Sequence, residues 1–230
     1  MSAHPALVVF DLGGTTIHDR GEVPEAFAAA LQASGLAVDP AAIASWRGAS
    51  KREILKKLVA EQRPALPAED RSRLALAAFD RFSQTLTGRL RGTSSLAIPE
   101  ALPALLRLRG AGIRIALNSG FDRKVLDVIL SAVPWPPDLF DAVVCGDDVP
   151  EGRPAPLMIF RAMEKTGVSD PNRIAVVGDT RLDLEAGANA GATYRIGVLT
   201  GAHDHPTLMR APHTHIVDSV GSVPDIWLEG

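Results

Sequence analysis

Near its start the chain carries an unbroken apolar run, Ala6-Leu7-Val8-Val9-Phe10, which stops at Asp11 and is followed by the glycine pair Gly13-Gly14. Five apolar residues in a row leave no face for water. That is the pattern of a strand buried on both sides in a parallel sheet, and the glycines mark a tight turn at its carboxyl end. Ile113 to Leu117, Ala142 to Cys145 and Ile174 to Val177 repeat the run, and Arg195 to Leu199 repeats it more weakly. Helical spacing of apolar residues covers Glu100 to Arg109, Arg123 to Ala132, Ala155 to Thr166 and Leu182 to Ala190. Strict alternation of strand and helix predicts an α/β domain with a parallel sheet.

The stretch from His18 to Gly92 breaks this rhythm. It holds no convincing strand, and Pro24 to Ser34, Ser50 to Gln62 and Ala68 to Leu86 have helical spacing, punctuated by Pro64, Pro67 and Gly92. The expected organisation is a core made of 1–17 and 93–230, with a helical domain, 18–92, inserted after the first strand. His18 to Gly21 is the expected hinge.

Composition narrows the function classes. Lys plus Arg is 24 and Asp plus Glu is 27, a formal net charge of −3, so no strong basic field draws nucleic acid or anionic lipid. Cys145 is the only cysteine, which excludes an internal disulfide and a cysteine-based zinc site. No apolar run approaches the roughly 20 residues of a membrane span, and Met1 to Phe10 lacks the pattern of a secretory signal. A cytoplasmic protein without nucleic-acid or membrane partners is the expectation.

In an open parallel sheet, ligands sit outside the carboxyl ends of the strands. The residues there are Asp11 with Gly13, Gly14 and Thr15; Asn118-Ser119-Gly120; Gly146-Asp147-Asp148; and Gly178-Asp179-Thr180 with Asp183. Asp11 and Asp179 are placed to share a hard cation such as Mg²⁺, which takes a few carboxylates, backbone carbonyls and waters. A carboxylate beside such a cation can attack phosphorus. The backbone at Gly13-Gly14, and Ser119 with the Gly120 N–H, suit phosphate oxygens, and Arg153 supplies a fixed positive charge. Asp147 and Asp148 are expected to support the acidic pocket. His203, His205, His213 and His215 read as loop residues before they read as a zinc cluster.

Asp11-Leu-Gly-Gly-Thr15-Thr16, Ser119, Arg153 and Gly178-Asp179-Thr-Arg-Leu-Asp183 resemble, in order and spacing, the four motifs of the haloacid dehalogenase superfamily. The resemblance implies a three-layer Rossmann-like core with an α-helical type 1 cap where the helical insert lies. Phosphatases of that superfamily carry an acid two residues past the nucleophile, to protonate the leaving alkoxide; here that residue is Gly13. Gly14-Thr15-Thr16, Gly152-Arg153-Pro154-Ala155-Pro156 and Gly48-Ala49-Ser50-Lys51 instead resemble the phosphonoacetaldehyde hydrolase (phosphonatase) branch. Two cap positions depart from it: Ile54 stands where that branch has His, and Arg47 where it has Met.

The resemblance implies a Mg²⁺-dependent hydrolase acting on a small-molecule phosphonate or phosphate. Asp11 attacks phosphorus and forms an aspartyl-phosphate. Asp11, the Gly13 carbonyl and Asp179 hold the metal. Gly14, Ser119, Gly120 and Arg153 bind the phosphoryl group. Lys51 forms an imine with an aldehyde substrate or binds its organic part. Thr15, Thr180 and Asp183 orient these groups. Pairing of cap helices into a homodimer is a further implication. A phosphomonoester phosphatase is the first alternative. A metal-free dehalogenase is disfavoured by the Asp179 and Asp183 pair, and a non-catalytic binding protein by the presence of every motif position.

Overall fold

The computed structural model describes residues 4–91 and 96–228. Its centre is a six-stranded sheet: β1 (Leu7–Asp11), β2 (Arg114–Ser119), β3 (Ala142–Cys145), β4 (Ile174–Gly178), β5 (Tyr194–Val198) and β6 (His215–Val217). The strand order is β3-β2-β1-β4-β5-β6, and every neighbouring pair is parallel. The fold is the α/β sandwich that the alternation predicts. β6 has no counterpart among the expected strands. It is a three-residue edge strand, half-buried throughout and begun by a histidine, so no apolar run announces it.

Alternate residues of β1 serve opposite layers. Leu7 and Val9 pack with Met158, Ile159 and Ala162 of α7 (Leu157–Thr166) and Ala186 of α8 (Arg181–Asn189). Val8 and Phe10 belong to the other core, with Leu105 and Leu108 of α5 (Ala101–Gly110) and Val125, Leu126 and Ile129 of α6 (Arg123–Ala132). All five residues of β1 are buried, which is why the strand can be apolar on both faces. Each such side chain contributes roughly 1.5–3 kcal/mol by leaving water.

Four helices lie between β1 and α5: α1 (Glu22–Ala33), α2 (Pro40–Ser45), α3 (Lys51–Gln62) and α4 (Ala68–Leu90). α4 runs one turn beyond the predicted Leu86, because Leu90 is also buried. α2 is too short for its periodicity to be read in advance. Phe27, Phe79 and Phe82 form the aromatic heart of this helical unit, with Phe27 edge-on to Phe82 at 5.6 Å. The expected domain boundary at 92/93, with Gly92, lies outside the described residues. A last helix, α9 (His205–Met209), precedes β6. No helix among the described residues is long and apolar enough to cross a membrane.

Candidate active site

The register of the sheet brings the motif residues to one edge. Asp11 ends β1 opposite Asn118 of β2, and Ser119 lies beside Cys145 of β3. Gly178 ends β4 on the other side, so Asp179 enters the same space. A cavity of about 90 Å³ opens there. Its floor includes Asp11, Gly13, Ser119, Gly120, Arg153, Asp179 and Thr180; the inserted helices supply Arg47, Gly48 and Lys51 to its walls.

Arg153 is the hub of the floor. It donates to Asp11 Oδ1 at 2.7 Å, to Asp183 Oδ1 at 2.8 Å and to Asn118 Oδ1 at 2.6 Å, while its buried Nε has no protein partner. Burial works against its charge, but Asp183, Asp11 and Asp179 outweigh that and hold it protonated. Asp11 is pushed up to about 7, first by burial and then by the Asp183 charge, against the pull of Arg153. Burial, Asp11 and Asp183 push Asp179 well above the carboxylate range. One buried cation faces three carboxylates, so burial and the excess of negative charge together raise Asp11 and Asp179.

Asp179 is fixed by backbone. Its Oδ2 accepts from Ala202 N at 2.6 Å, and Thr15 Oγ1 donates to its Oδ1 at 3.4 Å. A Cβ on Gly201 would lie 2.0 Å from Oδ2, and one on Gly14, where φ is +81°, 2.5 Å from the same atom. Thr200 Oγ1 donates to the Gly14 carbonyl at 2.7 Å, tying this loop to the turn after β1. Asp183 does not project into the cavity. Its Oδ2 accepts from Thr180 N at 3.0 Å and Thr180 Oγ1 at 2.5 Å in a capping box that starts α8. It meets the cavity only through Thr180 and Arg153.

Lys51, the first residue of α3, is buried. Its Nζ donates to the carbonyls of Trp46 at 2.9 Å and Ala49 at 3.1 Å and lies 5.8 Å from the centre of the Phe27 ring. Burial lowers its pKa to about 8; Asp19 opposes and Arg47 assists. Among the described residues no carboxylate is paired with it. Arg47 lines the cavity and lies 3.9 Å from Asp19.

Several residues had other fates or were overlooked. Asp147 and Asp148 do not line the cavity: Asp147 pairs with Arg52 at 2.7 Å, and Asp148 with Arg123 at 2.9 Å and Lys165 at 3.4 Å. His203 Nδ1 accepts from Arg181 N at 3.0 Å, while His213 and His215 bond locally at 2.9 and 3.0 Å. Asn118 gained no role from sequence, although it orients Arg153. Thr200, Gly201 and Ala202 were missed. They follow β5, so the rule that ligands lie at carboxyl ends would have found them had that weaker strand been treated like the others. Asp19, within the expected hinge His18 to Gly21, and Glu22, the first residue of α1, also face the cavity.

Comparison with known proteins agrees with this geometry. The family model for haloacid dehalogenase-like hydrolase matches residues 5–191. The chain belongs to the haloacid dehalogenase-like hydrolases. Within the family, its similarity runs to phosphonoacetaldehyde hydrolases. It is 32% identical over 199 residues to one from Latilactobacillus sakei, covering 80% of this chain and 72% of that protein. It is 35% identical over 107 residues to one from Bacteroides fragilis, covering 46% of this chain and 40% of that relative's length. A hydrolase from Pseudomonas syringae superposes with a TM-score of 0.83 at 22% identity, covering 97% of this chain and 100% of the other, a likeness of fold.

Proposed function

We propose that the protein hydrolyses the phosphorus–carbon bond of a small phosphonate bearing an aldehyde, of the phosphonoacetaldehyde type, through an aspartyl-phosphate on Asp11. The observation that carries this reading is that a buried, carboxylate-free amine, Lys51, and a buried carboxylate, Asp11, line one small cavity. Gly13 supports it: a Cβ there would meet nothing within 4 Å, so the place of a phosphatase's acid is open space.

Direct cleavage of the bond would expel a poor carbanion. The Lys51 amine condenses with the aldehyde and releases water. The protonated imine then accepts the electron pair of the P–C bond as Asp11 attacks phosphorus. The products are the aspartyl-phosphate and an enamine on Lys51. The enamine takes up a proton at carbon and hydrolyses to aldehyde and free amine; water cleaves the aspartyl-phosphate. Ser119, the Gly120 backbone and Arg153 hold the phosphoryl oxygens; the Gly14 N–H, expected from the sequence to join them, is taken by the Ile17 carbonyl at 2.7 Å. The unpartnered Arg153 Nε is a donor suited to such an oxygen.

The mutual repulsion of Asp11 and Asp179 suits a divalent cation. Among the described residues no three His, Cys, Asp or Glu side chains gather as a metal-binding group. Two carboxylates with a backbone carbonyl and waters are what Mg²⁺ commonly takes. Asp11, the Gly13 carbonyl and Asp179 would hold it, and it would offset the repulsion between carboxylate and phosphoryl group. The inserted helices act as a cap over the core.

A phosphate-ester reading draws on one observation: Asp19 and Glu22 line the cavity and could supply the proton that Gly13 cannot. Borohydride reduction in the presence of phosphonoacetaldehyde separates the two. A stable adduct mapped to Lys51 supports the imine. No adduct, with intact hydrolysis of phosphate esters, overturns it in favour of the phosphatase.

A further inference from the structure

The two residues after Lys51 turn away from the cavity and grip the core. Successive helical residues are rotated by roughly 100°, so while Lys51 faces inward, Arg52 and Glu53 face the segment between β3 and α7. Arg52 Nη2 lies 2.7 Å from Asp147 Oδ1, and its guanidinium packs 4.6 Å from the centre of the Phe79 ring. Asp147 Oδ2 in turn accepts from the backbone N–H of Arg123 at 2.9 Å, at the start of α6 and four residues beyond Ser119. Glu53 Oε1 accepts from Gly152 N at 2.7 Å, immediately before Arg153. Gly152 also sits tightly against the cap of α3: a Cβ built on it would be 3.0 Å from Ser50 Cβ.

Exposed ion pairs of this kind contribute little to overall stability. Here an ion pair and a backbone hydrogen bond directly follow the same lysine, and both end on the segment between β3 and α7: one at Gly152 beside Arg153, the other at Asp147, which also holds the start of α6 beyond Ser119. We propose that Arg52 and Glu53 are positioning residues, a two-point latch that seats Lys51 in register with Ser119 and Arg153. The inference rests on the reading that Lys51 acts on the substrate. A lysine on the inserted helices must reach the aldehyde carbon while the phosphoryl group is held by the core, and small misplacements of a reacting group are costly in rate. The latch ties those two placements together, Glu53 directly at Gly152 and Arg52 through Asp147 at the start of α6.

The test uses steady-state cleavage of phosphonoacetaldehyde by the full-length protein. Arg52→Ala and Glu53→Ala are each expected to lower kcat about tenfold, one such step in the barrier being worth 1.36 kcal/mol. KM should stay within about threefold, because the latch leaves the phosphate-binding groups in place. Glu53→Gln, which keeps an acceptor for the Gly152 N–H, and Arg52→Lys, which keeps a cation for Asp147, are expected to recover most of the rate. Wild-type kcat in both alanine variants, with Lys51→Ala inactive, overturns the latch alone. So does a loss that neither Glu53→Gln nor Arg52→Lys recovers. Wild-type kcat in Lys51→Ala overturns the underlying reading, and the latch with it.

Discussion

Arg153 joins Asp11 and Asp183 through one guanidinium, with Nη2 2.7 Å from Asp11 Oδ1 and Nη1 2.8 Å from Asp183 Oδ1. All three side chains are buried. Removing the cation leaves two uncompensated carboxylates in a site with little water. Arg153→Ala should therefore destabilise the fold by roughly 3–5 kcal/mol, the usual cost of breaking a buried pair from one side. Arg153→Lys keeps the charge but replaces the fork by a single point, and should fall between the two. Urea unfolding checks both; a loss under about 1 kcal/mol in the alanine variant would show that the carboxylates do not depend on Arg153.

Gly13→Asp should turn the chemistry toward esters. The open space at that Cβ admits the side chain, and a positioned acid is worth about 10²–10⁴ in rate. Hydrolysis of p-nitrophenyl phosphate is expected to rise at least about tenfold, less than a fully positioned acid gives because the new side chain is not held by neighbours built for it. An unchanged ester rate would mean that the leaving-group proton already has another source.

Lys51 at about 8 sets a pH dependence. At pH 7 roughly a tenth of such an amine is free, against roughly three in ten thousand for an unshifted lysine. kcat/KM for phosphonoacetaldehyde should rise from pH 6 and level off near 8.5. Stability has the same sign. Between about 8 and the ordinary 10.5 the unfolded chain binds more protons at this position than the native one, so stability increases with pH across that window. Unfolding of wild type against Lys51→Met from pH 7 to 10 isolates the contribution; parallel curves would contradict it.

Gly48→Ala should damage the join between the inserted helices and the core. Gly48 has φ +78°, and a Cβ there would lie 2.5 Å from Thr180 Oγ1. The left-handed conformation alone costs roughly 1–2 kcal/mol for a residue with a side chain. A lowered Tm with a larger fall in kcat than Ser or Thr changes on the outer face of α4 is expected. Wild-type kinetics would show that the close approach is not needed for turnover.

Metal removal should abolish turnover, and Mg²⁺ should restore it. A readout independent of activity is thermal unfolding. Mg²⁺ at a hundredfold excess over its Kd should stabilise the native state by about 2.7 kcal/mol, and Asp179→Asn should lose that gain. An unchanged Tm in wild type would count against a divalent ion at this place.

The sheet and the floor of the site were legible because both obey short-range rules. Buried strands such as Ile174–Gly178 must be apolar, and polar residues at their ends must face the ligand edge. β6 was not legible, since an edge strand half in water needs no apolar run. Asn118 was visible as a strand-end residue, but its hold on Arg153 spans 35 positions, and no local pattern encodes that pairing. Lys51 was found by its Gly-x-x-Lys setting. Its seat against Phe27 and two carbonyls depends on the packing of α1 and α3 against α4, which periodicity predicts only as an apolar face. Asp147 shows the reverse error: a carboxylate at a strand end that turns outward to Arg52 because the insert presents a cation there.

Glycine backbone walls in Asp179 on two sides, at Gly14 and Gly201. A side chain at either position would have to displace that carboxylate, so related chains should tolerate almost any residue nearby sooner than a methyl group at either glycine.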